Sequence, residues 1–184
     1  MTTATPLACS CGQVRLEVEG APIVAAECHC NSCRTAGERM QMLPGAPRVL
    51  EESGGSHFVL YRKDRVRFAE GSERLAHFRL TPASKTRRVV ATCCNTPVFL
   101  EFESGHWLSL YGLLWPEGAR PAIELRTMTG DRADGTALPN DVPNPKSHTF
   151  SFYARLFGAW ARMGFRAPRI AVGRDELSVG TELA

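Results

Sequence analysis

Short apolar segments in which polar residues alternate with a period of two recur along this chain of 184 residues. The clearest is Gln-Val-Arg-Leu-Glu-Val-Glu at residues 13–19, a pattern typical of a half-buried strand. Further short strands are predicted at residues 23–27, 40–43, 58–61, 65–68, 75–80, 88–91, 97–103, 107–111 and 122–126. Because Gly, Pro, Asn and Ser separate these segments, the pattern predicts a mainly β protein with antiparallel sheets, and a turn at residues 34–38.

The period changes near the end of the chain. Apolar residues recur there at helical spacing, at Phe150, Tyr153, Leu156, Phe157, Trp160 and Met163. Arg155 and Arg162 lie on the opposite face, so the pattern predicts one amphipathic C-terminal helix that ends near Gly164. The aromatic stripe either packs on its own domain or meets a partner or membrane. We expect packing, because burying a large apolar side chain stabilises a fold by about 1.5–3 kcal/mol.

The length of the chain fits a single domain on a soft prior of about 150 residues per domain. We assign residues 1–129 to a zinc-binding β domain, residues 130–148 to a loop, and residues 149–184 to a helix and tail packed on the same domain. The loop segment has three prolines and no apolar period.

Charge and hydropathy exclude several classes of partner. The chain has 22 Lys and Arg against 19 Asp and Glu, a net charge of +3 that is too small to indicate a nucleic-acid or membrane partner. The longest apolar stretch, residues 107–115, is far shorter than the ~20 residues of a membrane span. The first eight residues lack the basic and apolar regions of a secretory signal, so we expect a cytoplasmic protein.

The seven cysteines are the most informative residues, and all of them lie in three tight groups. The groups are Cys9 and Cys11; Cys28, Cys30 and Cys33; and Cys93 and Cys94. An odd number in a reducing compartment argues against structural disulfides. Thiolates at such short spacing converge on one cation, and an all-sulfur set suits Zn²⁺ or an iron–sulfur centre. The sequence therefore predicts metal binding rather than scattered buried thiols.

The seven thiols divide into a set of four and a set of three. A closed structural zinc site takes four ligands, whereas a catalytic site keeps three protein ligands and an open position. Cys28, Cys30 and Cys33 form the set of three. Cys9 and Cys11 need partners from far along the chain, which the Cys93–Cys94 pair can provide. Any chemistry is expected at the three-ligand site.

Three motifs resemble a known family. They are Cys9-Ser-Cys11-Gly12-Gln-Val14, Cys28-His29-Cys30-Asn-Ser-Cys33-Arg34 and Cys94-Asn-Thr-Pro-Val98. Over residues 8–112 they are similar to the glutathione-dependent formaldehyde-activating enzyme and centromere protein V family. The resemblance implies a zinc-bound antiparallel β-tent, with a structural zinc on the first and last cysteine groups and an activity-linked zinc on the middle one. It also implies a carbon–sulfur lyase that acts on a glutathione or other small-thiol adduct of an aldehyde.

The last motif departs from the family pattern C-x-x-C-G. Ala91 stands at the first cysteine position and Asn95 at the glycine, so Cys93 is the candidate substitute ligand. Neighbouring side chains of an extended strand point to opposite faces. Cys93 and Cys94 therefore reach one metal only where the backbone bends sharply between them; otherwise Cys93 is a spare buried thiol.

Two further residues are candidates for catalytic roles. His29 lies between two ligands and in an extended segment points away from the metal, where it acts as a supporting hydrogen-bond partner, shuttles protons or lies on the surface. Arg34 follows the last ligand and either pairs with a substrate carboxylate or with the charge of the site, or is a plain surface residue.

Three functions remain open. The first is the lyase just described, with a small thiol such as glutathione as its partner. The second is a non-enzymatic, zinc-stabilised module that binds a protein or nucleic acid. The third is a thiol redox or metal-handling protein in which the same cysteines exchange.

Overall fold

The fold consists of two β-sheets and two α-helices, seen in a computed structural model that describes residues 4–132, 135–171 and 176–177. The strands of these residues are β1 Ala4–Ala8, β2 Arg15–Glu19, β3 Val24–Cys28, β4 Ser56–Arg62, β5 Val66–Glu70, β6 Leu75–Phe78, β7 Thr86–Ala91, β8 Thr96–Phe102, β9 Trp107–Tyr111 and β10 Leu125–Thr127. The helices are α1 Asn31–Gln41 and α2 Phe150–Arg162. The prediction of a mainly β protein is confirmed.

The strands form a small and a large sheet. The small sheet has the order β1-β2-β5, and the large sheet has the order β10-β3-β4-β9-β8-β7-β6. Every pairing is antiparallel except that of β10 with β3. No helix of the described residues is both long and apolar enough to cross a membrane.

The large sheet is the middle layer of the molecule and is buried on both faces. Because successive side chains of a strand point to opposite faces, β4 sends Val59 toward the small sheet and Phe58 and Leu60 toward the helices. Leu16 packs in the first core and Met40 in the second. This arrangement explains why the central strands are apolar almost throughout.

Helix α1 replaces two predicted elements, the turn at residues 34–38 and the strand at residues 40–43. Both predictions are wrong, because the buried residues follow helical spacing, at Cys33, Ala36, Gly37 and Met40. A short apolar run does not distinguish a strand from a helix by periodicity alone. At Gly37 the helix touches Leu50 so closely that any Cβ would clash with it.

Helix α2 confirms the predicted C-terminal helix, and the Thr149 side chain caps it by accepting from the Phe152 N–H at 3.2 Å. The prediction that its aromatic stripe packs on the domain is wrong for half of the stripe. Phe150, Tyr153 and Phe157 are exposed, and the buried residues are Phe152, Leu156, Ala159 and Met163. The buried face is thus shifted relative to the stripe, because it includes Phe152 and Ala159, which lie outside the stripe.

Other sequence predictions differ in detail. The N-terminal strand β1 was not predicted, and β10 starts later than the predicted segment at residues 122–126. The segment at residues 130–148 forms no α-helix or strand in its described part, which leaves out residues 133–134. Of the predicted tail, residues 172–175 and 178–184 lie outside the described residues.

Candidate metal centres and an adjoining cavity

The sulfurs of four cysteines lie close together at the junction of the two sheets. Cys9 and Cys11 lie in the loop between β1 and β2, and Cys93 and Cys94 lie in the turn between β7 and β8. The Cys9 sulfur is 3.6 Å from that of Cys11 and 3.8 Å from that of Cys93. The Cys93 sulfur is 3.4 Å from that of Cys11 and 3.8 Å from that of Cys94. All four thiols are free.

These separations fit a tetrahedral metal and do not fit a disulfide. A Zn–S bond of about 2.3 Å in tetrahedral geometry places neighbouring sulfurs about 3.8 Å apart. A disulfide would need about 2.05 Å. The four sulfurs, which lie within 4.8 Å of one another, can therefore hold one metal ion.

A sharp turn brings both Cys93 and Cys94 into the group. Residues 92–95 form the turn, and Asn95 has a left-handed backbone with φ of +52°. Asn tolerates this conformation better than most residues, which accounts for Asn95 at the position of the expected glycine. The backbone thus bends as required for neighbouring cysteines to face one point, and ligation by both Cys93 and Cys94 stays a prediction.

Hydroxyl and backbone groups surround the four sulfurs. Burial acts to raise the pKa of Cys94, but hydrogen bonds from the Ser10 and Thr96 hydroxyls outweigh it and lower the pKa to about 5. Thr96 Oγ1 lies 3.0 Å from the Cys94 sulfur and also accepts from the Ser10 N–H at 3.1 Å. Burial raises the pKa of Cys9, whose sulfur accepts the Val14 N–H at 3.3 Å.

The other three cysteines meet at the start of helix α1, on the opposite side of the large sheet. Cys28 is the last residue of β3, Cys30 is the N-cap of α1, and Cys33 lies in its first turn. The Cys30 sulfur accepts the Cys33 N–H at 3.3 Å. The three sulfurs lie within 4.8 Å of one another, so this group can also hold a metal ion.

Negative charge concentrates on Cys30 within this group. Hydrogen bonds from Cys28 and Cys33 lower the pKa of Cys30 to about 2. The same contact with Cys30 raises the pKa of Cys28 to about 12, and contacts with both neighbours raise the pKa of Cys33. A helix N-terminus favours a thiolate in the same way. Thiolates are the form that binds metal.

A cavity of about 400 Å³ adjoins the three cysteines. Its walls are mostly apolar and include Phe58, Leu100 and Trp107 from the large sheet. Helix α2 contributes Phe152 and Leu156. Its volume lies near the lower end of the range of about 300–1,000 Å³ for small-molecule sites.

Arg88 is the basic residue that the structure places beside this group. Its side chain is fully buried and lines the cavity. Its Nη2 donates to the Ser32 carbonyl oxygen at 3.1 Å and to the Ser32 hydroxyl at 2.7 Å. Sequence reasoning missed Arg88, because its contact with Ser32 joins residues that are 56 positions apart in the chain.

His148 also lines the cavity. Its Nδ1 lies 2.9 Å from the Thr127 hydroxyl oxygen, and its ring stacks on Phe152 with centroids 4.6 Å apart. Burial lowers the pKa of His148, which favours the neutral imidazole. No motif in the sequence assigns His148 a role, because it lies far from every group of cysteines.

His29 is fully buried, so the surface alternative for it is wrong. Its Nε2 lies 3.0 Å from Glu27 Oε1, and its Nδ1 lies 3.4 Å from Arg132 Nη1. Arg126 Nε donates to the other Glu27 oxygen at 3.1 Å. Burial acts to raise the pKa of Glu27, but hydrogen bonds from His29 and Ser53 lower it overall. These contacts hold the backbone between Cys28 and Cys30.

Arg34 lies in α1 and is half-buried. Its backbone N–H donates to the Cys30 carbonyl at 3.1 Å. Its guanidinium makes no hydrogen bond or ion pair with another described residue. The two roles proposed for its side chain therefore stay predictions.

The fold and its two cysteine groups define a mainly β protein with the means to bind two metal ions. Residues 1–114, which include all seven cysteines, match a family of unknown function, DUF6151, and the chain belongs to that family. A crystal structure of a Rhodobacter sphaeroides protein is similar at 21% identity, over 64% of this chain and 92% of that one, with a TM-score of 0.45. No curated protein matches this chain.

Proposed function

We propose that the protein is a two-zinc β-tent protein with carbon–sulfur lyase-like activity toward a small-thiol adduct of an aldehyde. In this proposal, Cys9, Cys11, Cys93 and Cys94 hold a structural zinc, and Cys28, Cys30 and Cys33 hold the zinc of the active site. The observation that carries the proposal is the cavity beside the three-sulfur group. A set of three ligands leaves a metal position open, and the cavity provides room for a ligand there.

Zinc held by three thiolates would supply an open position that lowers the pKa of an incoming thiol or polarises a carbonyl oxygen. The protein's own residues exclude water, orient the ligand and accept a proton. The apolar walls exclude water, which strengthens every polar interaction within the cavity. Arg88 orients an anionic or carbonyl oxygen, and the neutral imidazole of His148 can accept a proton at the cavity wall.

His29 acts in this proposal as a positioning residue. It is absent from the described lining of the cavity, and its buried contact with Glu27 fixes the strand end between two ligands. Supporting hydrogen bonds of this kind orient metal ligands. Arg34 is kept as a candidate for pairing with a substrate carboxylate at the start of α1.

A second candidate function is supported by the outer face of α2. Phe150 is 88% exposed and Phe157 is 59% exposed, and Arg162 lies on the same helix. Exposed aromatic residues of this kind mark binding surfaces. The alternative is a non-enzymatic module that binds a protein through α2, with both metals serving the fold.

Metal counting combined with thiol titration tests the proposal. We expect about two zinc ions per purified chain, and a saturable calorimetric signal when a thiol is added under reducing conditions. Cys30→Ala should lose the thiol signal while its circular dichroism spectrum stays that of the wild type. A wild-type protein with two zinc ions and no thiol signal would favour the binding module instead.

A further inference from the structure

The lining of the cavity beside Cys28, Cys30 and Cys33 offers few partners for a charged ligand. Apart from the three cysteines themselves, Arg88 is the only charged residue among the described residues that line it, and no aspartate or glutamate is present. The remaining walls are aromatic and aliphatic side chains, together with a few hydroxyls. Burying an unpaired charge in such surroundings is costly. A ligand of this site must therefore be largely apolar.

One donor of a residue that lines the cavity lacks a partner. Arg88 is fully buried, and its Nε–H has no acceptor among the described residues. Most buried donors in proteins are satisfied, and a charged donor is the costliest to leave without an acceptor. An unpaired guanidinium N–H on a residue that lines a cavity therefore points to an acceptor atom on a ligand.

The position of Arg88 is fixed by the same segment that carries the metal ligands. Its Nη2 is held by the carbonyl and the hydroxyl of Ser32, which lies between Cys30 and Cys33. The guanidinium is thereby tied to the start of α1. A molecule that binds at the three-sulfur group and extends into the cavity passes close to Arg88. Guanidinium groups pair most strongly with carboxylates.

Resting on the proposed function, we propose that the site takes a small apolar thiol, or its aldehyde adduct, that carries a single carboxylate paired with Arg88. Glutathione fits this cavity poorly, because it has two carboxylates and an ammonium group and the described lining supplies one counter-charge. The site thus selects a thiol that has an apolar body and carries one anionic group.

Calorimetric titration of the zinc-loaded full chain with four probes tests this selection. The probes are mercaptohexanoate, the neutral mercaptohexanol of equal length, reduced glutathione, and hexanoate without a thiol. We expect mercaptohexanoate to bind about tenfold to a hundredfold more tightly than mercaptohexanol, and glutathione to bind more weakly than mercaptohexanoate. Equal affinity for the two mercapto compounds, or tightest binding of glutathione, would overturn the inference.

Arg88→Gln provides a matched control, with its fold checked by circular dichroism. The variant should lose the preference for mercaptohexanoate and keep the wild-type affinity for mercaptohexanol. An unchanged preference overturns the role of Arg88. If the variant does not fold, the comparison of the four probes on the wild type still tests whether the site prefers a carboxylate.

The inference and the proposed function can fail separately. If no thiol binds but hexanoate binds in an Arg88-dependent way, the thiol function is wrong and the carboxylate site stands. If both mercapto compounds bind equally and only through Cys30, the thiol function stands and the carboxylate site is wrong.

Discussion

The two cysteine groups differ in how their sulfurs are recruited and in what lies beside them. The four-sulfur group joins two loops, with Cys9 and Cys93 lying 84 residues apart in the chain, and its sulfurs surround one point. The three-sulfur group comes from a single strand–helix junction and borders a cavity. The contrast teaches that one chain uses clustered thiols once to connect distant elements and once beside a cavity, and each group could hold a metal ion.

The largest effect is expected from the connecting group. Cys9→Ala should leave the protein unfolded or insoluble, because a structural zinc site supplies about 10–16 kcal/mol of apparent binding free energy. Circular dichroism and the soluble fraction after expression measure the effect. A folded Cys9→Ala protein that retains both metals would contradict a structural role for this group.

A smaller loss is expected at the support of the three-sulfur group. Glu27→Gln removes a buried charge that faces both His29 and Arg126, and removing one partner of a buried ion pair costs about 3–5 kcal/mol. Chemical denaturation measures the change in the free energy of unfolding. Glu17→Gln is the matched control, since its partner Arg67 is exposed and such pairs are worth about 0–1 kcal/mol.

The pH dependence of this loss has a definite sign. Because the pKa of Glu27 in the folded protein lies below its ordinary value of 4.5, its contribution is fully present above that value. It is lost as the pH falls through the lower, folded pKa. The free energy of unfolding of the wild type should therefore decrease in that acidic range more steeply than that of Glu27→Gln. Parallel curves would show that Glu27 contributes no such linkage.

Helix α2 offers a paired test of which face covers the cavity. Leu156→Ala truncates a buried side chain of the cavity wall and should cost about 2–5 kcal/mol. Phe157→Ala changes the next, exposed residue and should change the stability by about 0.5 kcal/mol at most. Thermal unfolding of both variants checks the difference. The reverse order would restore the aromatic stripe as the packed face.

A smaller loss of stability than that of Leu156→Ala is expected at the three-sulfur group itself. Cys30→Ala should lose one metal equivalent and keep the fold, with a cost of about 1 kcal/mol for the lost helix cap. Elemental analysis together with circular dichroism measures both. If Cys30→Ala unfolds while Cys9→Ala stays folded, the assignment of the two roles is reversed.

Much of this arrangement follows from local sequence patterns. The alternation at residues 13–19 locates β2, because half-buried strands impose that period, and the short apolar run at residues 107–111 locates β9. The short spacings within each cysteine motif indicate that metal ligands are grouped there. Sulfurs so close in the chain can meet without contacts from the rest of the fold. The convergence of Cys93 with Cys9 was foreseeable only from the number of ligands that a closed site needs.

The remaining features depend on contacts distant in the chain. Arg88 acquires its role through Ser32, which lies 56 residues away, so no local pattern assigns it to the site. Helix α1 was missed because its buried face consists mainly of small residues, with Met40 as the exception, that pack against Leu50 and the large sheet. The buried face of α2 is likewise set by the surface it covers rather than by its most apolar residues.

The spacing of the cysteines along the chain also bears on the order of assembly. Cys28, Cys30 and Cys33 are near neighbours, so closing a ring around a cation there requires little loss of chain entropy. The junction of Cys9 and Cys11 with Cys93 closes a long loop and can form only after most of the large sheet has been synthesised. We therefore expect a nascent chain to bind a metal ion first at the start of α1. The four-sulfur group, which fixes the hairpin of β1 and β2, should form after it.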